Sequence, residues 1–183
     1  STAFALAVLK GDEVLWKGTI QLDPVREWKV YLLPHSHVDI GYTAVQTDVE
    51  KAHWRFFEEA MAAAEATADY PSEAGFKWNV EVLWAVDSYL RQAPEAKRAQ
   101  FIEAVRQGRI GLQALYGNEL TGLCRPEELL RLLDFAKRLE ERYDLTIDSA
   151  MISDVPGYTW GTITALAQGG VKYFSIGPNG GHR

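Results

Sequence analysis

The chain has 183 residues, of which 47% are hydrophobic, 11% aromatic and 24% charged. That is apolar material enough for one domain, or one domain with a small appendage, and it excludes disordered, collagen-like and low-complexity classes. Nineteen Lys and Arg against 25 Asp and Glu leave a net charge of −6, which argues against a broad electrostatic footprint for nucleic acid or anionic lipid. Cys124 is the single cysteine, so an internal disulfide and a Cys-rich zinc site are excluded. Apolar runs stop well short of the roughly 18 residues of a membrane helix, and none reads as a secretory signal. A soluble protein is expected, its compartment left open. The chain starts at Ser1-Thr2-Ala3 and stops at Gly181-His182-Arg183, and it reads as a segment of something longer.

Residues 1–25 read as a β-hairpin and linker, the tail of an upstream β module. Phe4–Leu9 and Val14–Ile20 are strand-like runs around the turn-forming Lys10-Gly11-Asp12-Glu13, and Pro24 suits neither regular structure. From residue 26 to 183 strands and helices alternate. Lys29–Leu33 reads as a short buried strand. Thr47 and Glu50 fit a capping box, opening a helix to about Ala68 whose inner face is Val49, Phe56, Phe57, Ala60, Met61 and Ala64. A second strand is expected over Trp78–Leu83, then helical sequence through Phe101 and Val105 divided at Pro94. Arg109–Leu115 is the third strand. Pro126 with Glu127 and Glu128 opens the next helix. Ile147–Ile152 is the fourth strand, Thr159–Ala167 a helix ended by Gly169-Gly170, and Val171–Ile176 the fifth strand.

Short strands separated by helices predict an α/β fold of parallel β/α repeats with right-handed crossovers, either part of a barrel or an open doubly wound sheet. In both, the site lies where the strands' carboxyl ends meet. Two of the loops expected there carry chemistry. In Pro34-His35-Ser36-His37-Val38-Asp39, alternation along extended backbone puts His35, His37 and Asp39 on one side. Two imidazoles and a carboxylate suit a zinc-like ion, although a hydrogen-bonded polar loop would share the pattern. In Ser153-Asp154-Val155-Pro156-Gly157-Tyr158, the Pro-Gly turn leaves Asp154 at a strand tip as a metal ligand, nucleophile, base or simple capping residue.

Together these segments resemble the glycoside hydrolase family 38 α-mannosidases. That family runs a strand into Pro-His-Ser-His-x-Asp followed by Gly and an aromatic, and this chain has Pro34-His35-Ser36-His37-Val38-Asp39-Ile40-Gly41-Tyr42. Its second signature is an Asp at a later strand end before a Gly-containing turn, matched by Asp154 and Gly157. The likeness runs from about Val30 to Ile176 and implies the front part of a catalytic (β/α)7 barrel. It implies one Zn2+ ion held by His37, Asp39 and Asp154, with Asp154 also the nucleophile of a retaining glycosidase acting on α-mannosides or related α-glycosides. In such enzymes zinc grips the sugar's 2- and 3-hydroxyls. Tyr42 stands where the best-known members have Trp. The family's fourth ligand, a distant His, falls beyond residue 183; His182 does not match its motif, and the acid/base is left unassigned.

Tyr42, Trp84, Asn118 and Tyr158 are the expected substrate contacts, with Tyr116 and Trp160 as further sugar platforms or core residues. Glu81, Asp87 and Glu119 read as sugar-contacting or structural. His53 lies on the apolar stripe of its helix and reads as packed. Two alternatives stand beside the glycosidase: an amidohydrolase-type metal hydrolase, which would want further His ligands on later strands, and a non-catalytic carbohydrate-binding fragment. The expected partners are a carbohydrate substrate and the rest of the parent chain, with neither nucleic acid nor membrane.

Overall fold

The computed structural model describes residues 1–180, and His182 lies outside them. The chain divides into two compact units, Ser1–Leu32 and a second from Leu33 onward. In the first unit β1 (Thr2–Lys10) pairs antiparallel with β2 (Glu13–Leu22), and Gly11 takes the left-handed conformation (φ 61°) that the tight turn between them needs. Phe4 lies opposite Ile20, and Val8 opposite Trp16. The period of two therefore gathers the large apolar side chains on one face. Gly18 is on that face too, where a Cβ would run into the Trp16 indole.

Residues 23–34 have no regular structure. The strand expected over Lys29–Leu33 is not formed, and Val30, Tyr31 and Leu32 are exposed. Parallel pairing starts only at His35, opposite Asn79. Without a neighbouring strand, β-branched and aromatic residues have no ladder to join.

In the second unit the strands are β3 (His35–Ser36), β4 (Trp78–Val80), β5 (Ile110–Leu112), β6 (Ser149–Ser153) and β7 (Tyr173–Gly177). β3, β4 and β5 form one parallel sheet, β6 and β7 another. The Ala114 amide donates to the Ser149 carbonyl at 2.7 Å, so β6 runs on beside the residues leaving β5. β4 and β5 stop short of their apolar runs, at Val80 and Leu112, whereas β6 and β7 start two residues later than expected and end one residue beyond, at Ser153 and Gly177.

The connecting helices are α1 (Gln46–Ala66), α2 (Trp84–Gln92), α3 (Glu95–Arg106), α4 (Pro126–Arg131), α5 (Asp134–Tyr143) and α6 (Trp160–Gln168). Pro94 separates α2 from α3 as its ring requires, and Pro126 occupies the first turn of α4, with Glu128 accepting from the Arg125 amide at 2.6 Å. The capping box expected at Thr47 is absent. Val45 precedes α1 with no side-chain cap, its carbonyl accepting from Asp48 and Val49, while Glu50 turns across to accept from Ser88 and Gln92. The core is Phe57, Val80, Leu83, Val86, Tyr89, Phe101, Ile110, Leu115, Ile147 and Ile152, with Ala136, Leu139 and Leu166 behind them.

Glu58 ties three helices together. It accepts from the Tyr89 hydroxyl at 2.5 Å and the Lys97 ammonium at 2.7 Å. Partial burial pushes its pKa up, but the hydrogen bonds from Lys97 and Tyr89 and the Lys97 charge outweigh that and hold it below the usual carboxylate range. A depressed carboxylate stabilises the fold above its unfolded pKa and ceases to as pH falls through the folded one. The pair is half-exposed, so solvent screening keeps the gain within about 1 kcal/mol. Glu58→Gln is expected to lower stability near neutrality and flatten the loss below about pH 4.5. Superimposable melting-temperature profiles of the two proteins between pH 3 and 7 would contradict this.

Candidate active site

The site is assembled from the end of β3 outward. Ser36 and Val38 turn inward, 8% and 4% exposed. Ser36 lies against the ring of His53 in α1, Oγ to Nδ1 at 3.5 Å. His53 is buried, edge-on to Phe56, and burial pushes its pKa down. It is a packed histidine. The alternation that buries Ser36 and Val38 leaves His37 and Asp39 on the opposite side, half-buried.

His37 is held at both ring nitrogens. Nδ1 faces the Glu81 carboxylate, 3.0 Å from Oε2 and 3.2 Å from Oε1. Nε2 lies 3.0 Å from Asp39 Oδ1 and 3.9 Å from Asp154 Oδ2. Burial alone would lower the imidazole pKa, but the Glu81 hydrogen bond and charge, with Asp39 adding to them, raise it above its ordinary value. Glu81 is wholly buried just beyond β4. Its Oε2 also accepts from the Val38 amide at 2.8 Å and from Asn118 Nδ2 at 2.9 Å. A buried carboxylate is tolerable because several donors converge on it.

Asp154 follows directly on β6. Its amide donates to the Gly177 carbonyl at 2.6 Å, and its backbone is left-handed, φ 60°, a conformation Asp accepts more readily than most residues. That twist, followed by Gly157 at φ 79°, swings the half-exposed carboxylate toward His37. Tyr158 reaches the same place. Its hydroxyl is buried without a partner, and burial together with the charges of Asp154 and Glu81 pushes its pKa up. Asn118 Oδ1 is likewise buried and unpartnered.

The remaining expected residues are scattered. Tyr42 is 92% exposed, after Gly41 in the left-handed region. Trp84 is half-buried against the core, its amide bonded to the Tyr116 carbonyl at 2.8 Å. The Tyr116 hydroxyl donates to Asp87 at 2.9 Å, and Trp160 projects into solvent. His35 does not join the His37 group; its Nδ1 is buried without a hydrogen bond.

One imidazole nitrogen and two carboxylates are donors a zinc-like ion takes, and the nitrogen facing the two carboxylates is the one Glu81 leaves available. The ligands are, however, paired to one another: among the described residues no group of three His, Cys, Asp or Glu side chains is spaced to hold a metal ion. The donor set fits such an ion in chemistry, with the His37–Asp39 hydrogen bond as the contact an ion would displace.

The residue that sequence reasoning undervalued is Glu81. Its signal was a lone charge inside the run Val80-Glu81-Val82-Leu83, where a buried acid has to have partners.

Residues 27–178 match the N-terminal domain of the glycosyl hydrolases family 38. The chain belongs to that family. Among solved structures, this family 38 chain resembles an α-mannosidase from Enterococcus faecalis V583 at 15% identity and a TM-score of 0.66, over 79% of this chain and 16% of that one. It also resembles a family 38 glycosyl hydrolase from Enterococcus faecalis at 14% identity and a TM-score of 0.62, over 80% and 16%. A 4-α-glucanotransferase from Thermococcus litoralis follows at 13% identity and a TM-score of 0.50, over 67% and 20%. At such identities these likenesses concern the fold. The chain spans about a sixth of the length of the two enterococcal structures. No curated protein matches it. No helix among the described residues is long and apolar enough to cross a membrane.

Proposed function

We propose that this family 38 chain carries part of the active site of a zinc-dependent, retaining glycosidase acting on α-mannosides or related α-glycosides. The observation supporting it is the approach of Asp39 and Asp154, from two strand ends far apart in sequence, to the same nitrogen of His37. His37, Asp39 and Asp154 would hold the ion. When bound, zinc supplies a grip on neighbouring sugar hydroxyls and a positive charge that favours ionised carboxylates. Asp154, the most exposed of the three, would attack the anomeric carbon as the glycosidic C–O bond breaks and the aglycone departs as an alcohol, protonated by an acid of the whole protein. Water would then hydrolyse the covalent glycosyl–enzyme with net retention. Asn118 and Tyr158 each have a buried, unpartnered polar atom that would position sugar hydroxyls, with Tyr42 and Trp84 as aromatic contacts. Glu81 is a poor candidate for proton donor, being wholly buried behind His37. In the whole protein we place these strands in a (β/α)7 barrel that the rest of the parent chain completes.

The test is metal content after zinc exposure and desalting. About one zinc per chain is expected in the parent protein, with affinity reduced at least tenfold in His37→Ala and in Asp39→Ala at unchanged circular dichroism. Equal zinc retention by both variants would remove the metal assignment.

A further inference from the structure

We infer that Glu81 is a positioning residue that fixes which nitrogen of His37 is offered to the metal. The inference rests on the zinc reading above but concerns a residue outside the ligand set. A neutral imidazole has one N–H and one lone pair, and the hydrogen bond made by the first decides where the second points. Both ring nitrogens face carboxylates, Asp39 Oδ1 lying 3.0 Å from Nε2. Nδ1, however, has both oxygens of the wholly buried Glu81 within 3.2 Å, where no water can replace the ring N–H. Water can reach the partly exposed Asp39, so in the neutral ring the proton belongs on Nδ1. The Nε2 lone pair is then directed to the side where Asp39 and Asp154 stand.

Glu81 has little freedom to do otherwise. It is wholly buried, and the Val38 amide and Asn118 Nδ2 hold Oε2 from two other directions. Val38 lies between His37 and Asp39, so one carboxylate sets both the ring and the backbone that spaces the two ligands. Asn118 comes from the loop after β5. Three strand ends are thus locked through one side chain, and its loss would loosen a ligand without removing one.

Glu81→Gln tests this because it preserves shape while changing one acceptor into a donor. An amide NH2 facing Nδ1 favours the tautomer with the proton on Nε2, the wrong nitrogen for the metal. Zinc affinity, measured with zinc alone by competition with a chromophoric chelator, is expected to fall 10- to 100-fold. The second readout needs no metal. In 15N-labelled protein at a pH well above the imidazole's titration, His37 should carry its proton on Nδ1 in the parent and lose that preference in Glu81→Gln.

Parent-like affinity and tautomer in a folded Glu81→Gln would overturn the inference while leaving the zinc site intact. A parent that binds no zinc, yet shows the Nδ1–H tautomer and its loss in the variant, would sink the zinc reading and support the role of Glu81. If the variant does not fold, the parent decides alone: a proton on Nε2 in the metal-free ring overturns the assignment, and one on Nδ1 supports it.

Discussion

Asp154→Asn is expected to reduce turnover of an α-mannoside by the whole protein about 1,000-fold or more without unfolding it. The carboxamide keeps the size of the carboxylate but loses the negative charge that makes its oxygen nucleophilic toward the anomeric carbon, and losing a nucleophile typically costs that much or more. Fold is expected to survive for a local reason. Asp154 is exposed, its structural contribution is a backbone hydrogen bond to Gly177, and Asn tolerates the left-handed region as well as Asp does. Asp154→Gly sharpens the test. Glycine adopts φ 60° without a Cβ penalty, so this variant should match or exceed the parent's melting temperature while turnover is lost equally. Stability retained with activity gone is the mark of a residue kept for chemistry. Parent-like kcat in either variant would remove Asp154 as nucleophile, and a large fall in melting temperature would recast it as structural.

What the sequence made legible followed from local rules. Period-two alternation in the hairpin, the breaks at Pro94 and Pro126, and the Gly169-Gly170 stop all act through a residue's own backbone, and these elements stand where expected. The alternation through His35-Ser36-His37-Val38-Asp39 gave the side on which His37 and Asp39 lie. It did not bring in His35, because only a residue beyond the strand end is free to turn toward Asp154. The errors were those of competition. Lys29–Leu33 has the composition of a strand without a partner. Thr47 and Glu50 have the spacing of a capping box, but the Val45 carbonyl starts α1 earlier and Ser88, in another helix, draws Glu50 away. Glu81 was legible as an oddity and illegible as a role, since its partners lie in loops around residues 37 and 118, and distance along the chain hides such pairings. Their convergence is a property of the parallel sheet, which sets β3, β4 and β5 side by side with their carboxyl ends together.

Phe57→Ala is expected to cost about 3–5 kcal/mol, a large share of the roughly 5–15 kcal/mol that holds a domain together. Phe57 is wholly buried on the inner face of α1, its ring edge-on to Tyr89 at 5.5 Å and tilted against Phe101 at 5.2 Å. It therefore joins three helices, and truncation leaves a cavity beside Tyr89 and Phe101, which pack on each other at 5.5 Å but lose their contacts with α1's ring. The consequence reaches the site, because His53, one turn earlier in α1, backs Ser36 at the strand carrying His37. Urea unfolding of Phe57→Ala should show a midpoint lowered in proportion, with Phe57→Leu between it and the parent. Tyr42→Ala, at a fully solvated ring, should move the midpoint by no more than about 0.5 kcal/mol equivalent while weakening sugar binding if Tyr42 stacks on substrate. A shift below about 1 kcal/mol for Phe57→Ala would mean that α1 is not packed through Phe57 and is held to α2 instead by ties such as the Trp54 hydrogen bond to Ser88.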